Sequence, residues 1–144
     1  MLDTPFEQIS SAIVWVACAT AVTLGGRPER IGAAGVWLAW FTSVLTQVRT
    51  GWVDPQYVWI GIDSALFLLL AWLGLKSGRR WPVYAAACQF LMVGAHFAMA
   101  LDLRIRSVAY LTTIAIWSLG VLVAMVIGAL VEAKADRLAR AARR

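Results

Sequence analysis

The 144-residue chain has few charges, one histidine and only two cysteines. Charged residues make up 15% of it, against about a quarter in a typical soluble domain. The sequence has no glycine-rich phosphate loop, no H-E-x-x-H motif and no closely spaced cysteine pair. These absences remove the usual sequence support for an enzyme, a structural metal or a disulfide framework. We therefore expect neither catalysis nor a cofactor.

Long apolar runs are what the sequence has instead. Hydrophobic residues account for 61% of the chain and gather in five runs of about 20 residues, the length an α-helix needs to cross ~30 Å of hydrocarbon. Four runs begin at a proline, which fits the first turn of a helix, and the fifth follows Ser107. The sequence predicts one all-α domain, a polytopic bundle of five transmembrane helices. The predicted helices are about 5–24, 28–50, 55–76, 82–103 and 108–131, followed by a basic helical tail at 132–144.

Basic residues are unevenly divided between the two ends of these helices. One side carries two in the first loop, three in the third loop and five in the tail, whereas the other side carries three. Short loops rich in Lys and Arg stay in the cytoplasm, so the N-terminus is expected outside and the C-terminus inside. The first group is Arg27, Arg30, Lys76, Arg79, Arg80, Lys134, Arg137, Arg140, Arg143 and Arg144, and the second is Arg49, Arg104 and Arg106.

The same topology explains the net charge of +5, so nucleic-acid binding is not expected. The five basic residues of the tail are expected to contact anionic lipid headgroups. Trp81 and Tyr84 lie where the inner membrane interface should be, and are predicted to be aromatic anchors.

Two ionisable residues lie inside the predicted helices at matching depth. Asp63 in the third helix and His96 in the fourth are both ~8 Å below the outer surface, counted at 1.5 Å per residue. Consecutive helices are expected to be antiparallel neighbours, where a carboxylate and an imidazole would stabilise each other. With Gln47 and Gln89, they are candidates for moving a proton, an ion or a solute. The alternative is structural: Asp63 binds an outer-loop arginine or a helix-two hydroxyl, and His96 binds a backbone carbonyl.

Sulfur-containing residues share a face of the fourth helix with the histidine. Cys88, Met92, His96 and Met99 are spaced four, four and three residues apart. Sulfur with imidazole suits Cu(I), and a His–Met pair can ligate haem, so His96 with Met92 or Met99 is a distant metal alternative. Methionines at helical spacing usually pack, and no metal is the main prediction.

Small residues recur at four-residue intervals in the fifth helix. Gly120, Ala124 and Gly128 would let two helix backbones approach closely, either inside the bundle or against a second copy.

The second half of the chain contains Arg80-Trp81-Pro82, Gln89, His96, Tyr110 and Trp117. In these residues it resembles a set of small, Ala-, Trp- and Arg-rich polytopic membrane proteins of bacteria. It covers helices three to five. The resemblance implies a bacterial inner membrane and implies no activity.

The leading functional hypothesis is therefore non-enzymatic: a small inner-membrane protein that acts as an accessory or assembly component. Its expected partners are the lipid bilayer and either further copies of itself or another membrane protein. The alternative is a channel or transporter for protons or a small solute that uses Asp63 and His96. A haem- or copper-carrying membrane component is the third hypothesis.

Overall fold

Five α-helices form the part of the chain described by the computed structural model, which covers residues 5–50, 57–101 and 107–143, without the side chains of 5–7, 47–50 and 107. No strand occurs within those residues, and the all-helical prediction is confirmed. The helices are α1 (Pro5–Leu24), α2 (Arg27–Thr50), α3 (Tyr57–Ser77), α4 (Trp81–Leu101) and α5 (Ser107–Ala141).

Three of the described helices are long and apolar enough to cross a membrane. They are α3, α4 and residues Val108–Ala141 of α5, whereas Gln8–Leu24 of α1 is apolar but shorter. Large apolar side chains are exposed on every helix, which would be an aggregation-prone surface in water and is an ordinary one in lipid. One exposed example from each helix, in chain order, is Val16, Leu38, Leu68, Phe90 and Ile127.

The helices pack in a closed ring that follows the order of the chain. Each helix contacts the one before it, α5 returns to α1, and α2 also touches α5. Very short connections join α1 to α2 and α3 to α4, so each of these pairs is antiparallel. The second connection uses Gly78 with φ of +66°, a conformation that other residues rarely adopt. We call the end of the ring that carries these two connections the basic end.

Small and aliphatic side chains fill the middle of the ring. Ala21, Leu70, Ala85 and Met125 are each 0% exposed and come from four different helices. We call these four residues the apolar block. Alanine lets helix backbones approach closely, which is how so small a bundle closes around its core.

The indole of Trp81 lies across the ring at the basic end. Trp81 is 5% exposed, and glycines of α2 and α5 lie against its ring. A Cβ atom on Gly32 would lie 2.5 Å from indole Cη2, and one on Gly128 would overlap Cγ and Cδ1. The prediction that Trp81 is an interfacial anchor is therefore wrong, because the ring points into the bundle. Tyr84, one turn further on, is 64% exposed.

We predict that Gly128→Ala destabilises the protein and that the same change at Gly94 does not. The added methyl group at position 128 overlaps the indole, and overpacking of this kind typically costs about 1–3 kcal/mol of unfolding free energy. Nothing lies within 4 Å of a Cβ at Gly94, where alanine should gain about 1 kcal/mol of helix propensity. Reversible unfolding in mixed detergent micelles measures both variants. Equal effects at the two positions would contradict the packing of Trp81 against α5.

Candidate functional site

Four polar side chains from three helices meet near the end of the ring opposite the basic end. Asp63 comes from α3, Gln89 and His96 from α4, and Tyr110 from α5; we call them the Asp63 cluster. Gln89 and His96 are two turns apart, so both project from one face of α4. That face is inside the ring, where Gln89 is 0% and His96 3% exposed. The antiparallel packing of α3 on α4 brings Asp63 to the same depth as His96.

The imidazole of His96 bonds to a different helix through each of its nitrogens. Nε2 lies 2.6 Å from Asp63 Oδ2, and Nδ1 lies 2.7 Å from the hydroxyl of Tyr110. The carboxyl, imidazole and phenol groups therefore form one hydrogen-bonded chain across α3, α4 and α5. The expected pairing of Asp63 with His96 is present, and Tyr110 extends it.

Gln89 supports the carboxylate from the side. Its Nε2 donates to Asp63 Oδ1 at 2.8 Å and lies 3.3 Å from the backbone oxygen of Asp63. Two acceptors at one end of the amide fix its orientation, because the carbonyl oxygen would be repelled there. The other end, Gln89 Oε1, is buried and has no hydrogen-bond partner among the described residues. An unpaired buried acceptor is a costly feature in an apolar interior.

The hydrogen-bonded groups Asp63, His96 and Tyr110 are connected so that together they can hold one exchangeable proton. In one state Asp63 is a carboxylate, His96 Nε2–H donates to it, and the Tyr110 hydroxyl donates to Nδ1; this state carries a charge of −1. One added proton gives a neutral state, either an ion pair with imidazolium or a carboxylic acid with neutral imidazole. Each state satisfies both hydrogen bonds of His96 without moving a heavy atom.

The metal alternative at His96 gains no support from this geometry. Both ring nitrogens are already bonded, so a metal ion would have to displace Asp63 or Tyr110. The sulfur of Met92 lies 3.3 Å from the hydroxyl of Ser118, which donates to it. Among the described residues no group of three His, Cys, Asp or Glu side chains could hold a metal ion.

A second polar cluster closes the basic end of the ring. Glu29 in the first turn of α2 is 0% exposed and accepts two hydrogen bonds through its carboxylate. Trp81 Nε1 donates to Oε1 at 2.8 Å, and the Gly26 N–H donates to Oε2 at 3.0 Å. The Gly26 bond is the helix cap that a glutamate in the first turn provides by reaching back to the preceding N–H.

The second half of this cluster is an ion pair between Arg79 and Glu132. The guanidinium, in the connection from α3 to α4, donates to the carboxylate on α5. This hydrogen bond with Glu132 raises the pKa of Arg79 above its ordinary value, with partial burial opposing it. Arg79 therefore stays charged at every physiological pH, and its contribution to stability would be lost only in strong alkali. We call Gly26, Glu29, Arg79, Trp81 and Glu132 the Glu29 cluster.

The small residues of α5 lie within the bundle in this structure. Gly120 faces Cys88 of α4, where an added Cβ would come within 2.8 Å of the sulfur, and Gly128 faces Trp81. Ala124, between them, is half-buried against the core. The close approach that their spacing predicts is thus between α5 and α4.

The tail continues α5 as an exposed helix. On its exposed surface the side chains of Arg140 and Asp136, one turn apart, form an ion pair with an N–O distance of 4.0 Å. The side chain of Gln47 and the whole of Arg144 lie outside the described residues. The other predicted lipid contacts, Lys134, Arg137 and Arg143, are exposed.

Sequence reasoning missed Tyr110 and Glu29 as members of the two clusters. Tyr110 is three residues into α5 and His96 is five residues before the end of α4, so the two backbones differ by only ~3 Å in depth, and the long tyrosine side chain closes the gap. Glu29 stands between Arg27 and Arg30 and reads as a solvated loop charge. The signal that could have found Glu29 is its place three residues after Gly26, where a glutamate caps a helix.

No protein-family model, curated protein or solved structure matches this chain. Its function is therefore inferred from the two clusters and from their placement in the ring.

We predict that Tyr110→Phe changes the electronic state of the His96 ring, whereas Tyr84→Phe does not. The first change removes the hydroxyl bonded to Nδ1, and the second removes one from an exposed ring. Because the chain has a single histidine, selective 15N labelling gives one imidazole to observe by NMR. The Nδ1 resonance should move in Tyr110→Phe and stay in place in Tyr84→Phe. An unchanged Nδ1 resonance in Tyr110→Phe would show that the phenol does not bond to the ring.

Proposed function

We propose that this chain is a five-span protein of a bacterial inner membrane, with its N-terminus outside and its C-terminus in the cytoplasm. Three helices meet the requirements for spanning on their own. The other two, α1 and α2, have 20 and 24 residues, against 21 for α3 and α4, and they complete the same ring. Leaving α1 and α2 outside the bilayer would break the ring. The ten-to-three division of basic residues supports the orientation.

Reporter fusions test this topology. Alkaline phosphatase, which is active only outside the cytoplasm, should be active when fused after residue 53 and inactive after residue 79 or 144. Green fluorescent protein should give the reverse pattern. An active phosphatase after residue 144 would invert the orientation, and equal activity after residues 53 and 79 would remove the α3 crossing.

Within that topology, we propose that the protein moves protons, alone or with a small solute, through the Asp63 cluster. The observation that carries this proposal is the hydrogen-bonded chain from Asp63 through His96 to Tyr110. Ionisable groups at membrane depth are costly and are commonly retained for proton or substrate pathways. These three hydrogen-bonded groups can bind and release one proton while keeping their hydrogen bonds, which is the property that a proton carrier needs. The unpaired Gln89 Oε1 would accept a hydrogen bond from an arriving water molecule.

The leading sequence hypothesis, an accessory or assembly component, is retained as the second candidate. A partly exposed aromatic group on α1 and α2 favours it. Trp15 is 53% exposed and meets Trp37 and Trp40 edge-on, with ring centroids 5.7 and 6.3 Å apart. Phe41 stacks on Trp37 at 5.2 Å. Tryptophans prefer the membrane interfaces, so a group near the middle of the helices suits a covering partner helix, from another copy or another membrane protein.

The tail belongs to the same proposal as a membrane contact. Its basic residues, Lys134, Arg137, Arg140, Arg143 and Arg144, would lie on the cytoplasmic side, where each adds roughly 1 kcal/mol of attraction to anionic headgroups near the surface. The tail would thereby help to orient the bundle.

We predict that proton flux depends on the Asp63 cluster. Purified full-length protein is reconstituted into vesicles that contain a pH-sensitive dye, and a potassium diffusion potential drives proton entry. Asp63→Asn and His96→Gln should each lower the protein-dependent rate by about a hundredfold, as expected for loss of a group that transfers the proton. Asp136→Asn, which removes an exposed tail carboxylate, should leave the rate unchanged.

Flux that is unaffected by Asp63→Asn and His96→Gln would exclude the cluster as the pathway. Absent flux in the native protein, together with a defined oligomer or a specific membrane partner in gentle detergent, would favour the assembly hypothesis. Mass analysis of the intact complex reports copy number, partner and bound small molecules in one measurement.

A further inference from the structure

We propose that the Glu29 cluster is a gate that closes the cytoplasmic end of the bundle and that opens by parting Arg79 from Glu132 and withdrawing the Trp81 indole. The proposal rests on the proton pathway proposed above, because a gate has a role only where something passes. The gate would be a second functional part of the molecule, at the basic end and thus opposite the Asp63 cluster.

The cluster ties together the ends of the helices that would have to separate. The indole of Trp81, at the start of α4, donates to Glu29 at the start of α2. Arg79, in the connection between α3 and α4, binds Glu132 on α5. Two polar contacts therefore tie α4 to α2 and the α3–α4 connection to α5 at this side of the ring. Breaking both would free the α3–α4 connection from α2 and from α5.

The packing around Trp81 favours movement over permanent anchoring. The ring lies against Gly32 and Gly128, which offer backbone and no side chain, so no neighbouring side chain interlocks with it at these two points. Gly78, the one described residue with positive φ, lies three residues before Trp81 and is a natural point for the connection to bend. At these two points the ring can leave its slot without displacing a side chain.

The charges of the cluster make the closed state conditional. A Cβ atom built on Gly26 would lie 3.3 Å from Glu29 Oε2 and 3.2 Å from Glu132 Oε1, so these two oxygens are no more than about 6.5 Å apart. The positive charge of Arg79 offsets the repulsion between these two carboxylates. With the guanidinium in place two carboxylates share one positive charge, and without it they repel each other. The pair is partly exposed, with side-chain exposures of 35% for Arg79 and 15% for Glu132, and exposed ion pairs contribute little to stability, so parting these two groups costs little.

The position of the cluster also suits a gate. Along α4 it is followed by Ala85 of the apolar block, then by Cys88, Gln89 and His96, all close to one face of the helix. Trp81 and Gln89 are ~12 Å apart along the axis. In the closed state this stretch is filled, and the Asp63 cluster lies beyond it. Opening at Trp81 would expose that face of α4 step by step from the cytoplasm.

The native cysteine at position 88 gives a direct test. Cys88 is free and lies two turns above Trp81, and a Cys18→Ser background makes it the sole thiol. Inside-out membrane vesicles that contain the full-length protein are treated with a small, charged, membrane-impermeant thiosulfonate, and the labelling rate of Cys88 is measured. Arg79→Gln should raise this rate about tenfold by increasing the open population. Arg80→Gln, which removes an exposed arginine at the next position, should leave it unchanged.

A charge exchange separates the gate from general destabilisation. The double variant Arg79→Glu with Glu132→Arg should return the labelling rate towards that of the native protein, whereas Glu132→Gln alone should resemble Arg79→Gln. All variants are compared as folded protein, checked by their elution in detergent. Equal labelling of Cys88 in native and Arg79→Gln protein would overturn the gate. So would faster labelling from both faces of the membrane, since that reports loosening of the whole bundle.

The readout is independent of transport. If the native protein conducts no protons but Arg79→Gln still exposes Cys88 from the cytoplasmic side alone, the proton pathway fails and the moving closure stands. If protons flow and Cys88 labelling is unchanged, the closure fails and the pathway stands.

Discussion

Burial of ionisable side chains inside a ring with an apolar exterior is the constraint on which the rest of this structure depends. Lipid offers no hydrogen bonds, so such groups must be satisfied by other helices. Asp63 is satisfied by α4, His96 by α3 and α5, and Glu29 by α4 and its own helix start. Each of the bonds between helices fixes the two helices in register and rotation. The two clusters thereby specify the arrangement at the two ends, whereas the apolar block between them specifies little beyond close packing.

Small residues determine how closely the helices approach one another elsewhere in the ring. Gly32 and Gly128 admit the indole of Trp81, and Gly120 admits the thiol of Cys88. A side chain at Gly120 or Gly128 would press against α4, so these two glycines set how closely α4 approaches α5, the helix that carries Tyr110.

The sequence was informative where one periodic rule decided the outcome. Apolar runs and prolines predicted the helices, and axial counting placed Asp63 and His96 at one depth. It could not decide whether His96 would meet a carboxylate, a carbonyl or nothing, because that depends on the rotation of two helices about their axes. Tyr110 required the return of α5 to α4, and Trp81 was misread because a tryptophan near a helix end looks the same whether it faces lipid or the core. Glu29 was not predicted to be a buried helix cap, because its basic neighbours are typical of a solvent-exposed charged loop.

The two clusters differ in a way that bears on how the molecule would work. The Asp63 cluster can change its charge by one proton with no heavy atom moving, whereas the Glu29 cluster can open only by moving side chains and the chain that carries them. The first is suited to fast exchange and the second to slower rearrangement. Between them lie Ala21, Leu70, Ala85 and Met125, whose buried side chains have no group that could hand a proton on. A protein that passes protons from one side to the other must therefore alternate between two arrangements of the ring. That alternation would require the least rearrangement at the basic end. A few polar bonds close the ring there, whereas close apolar packing holds the middle.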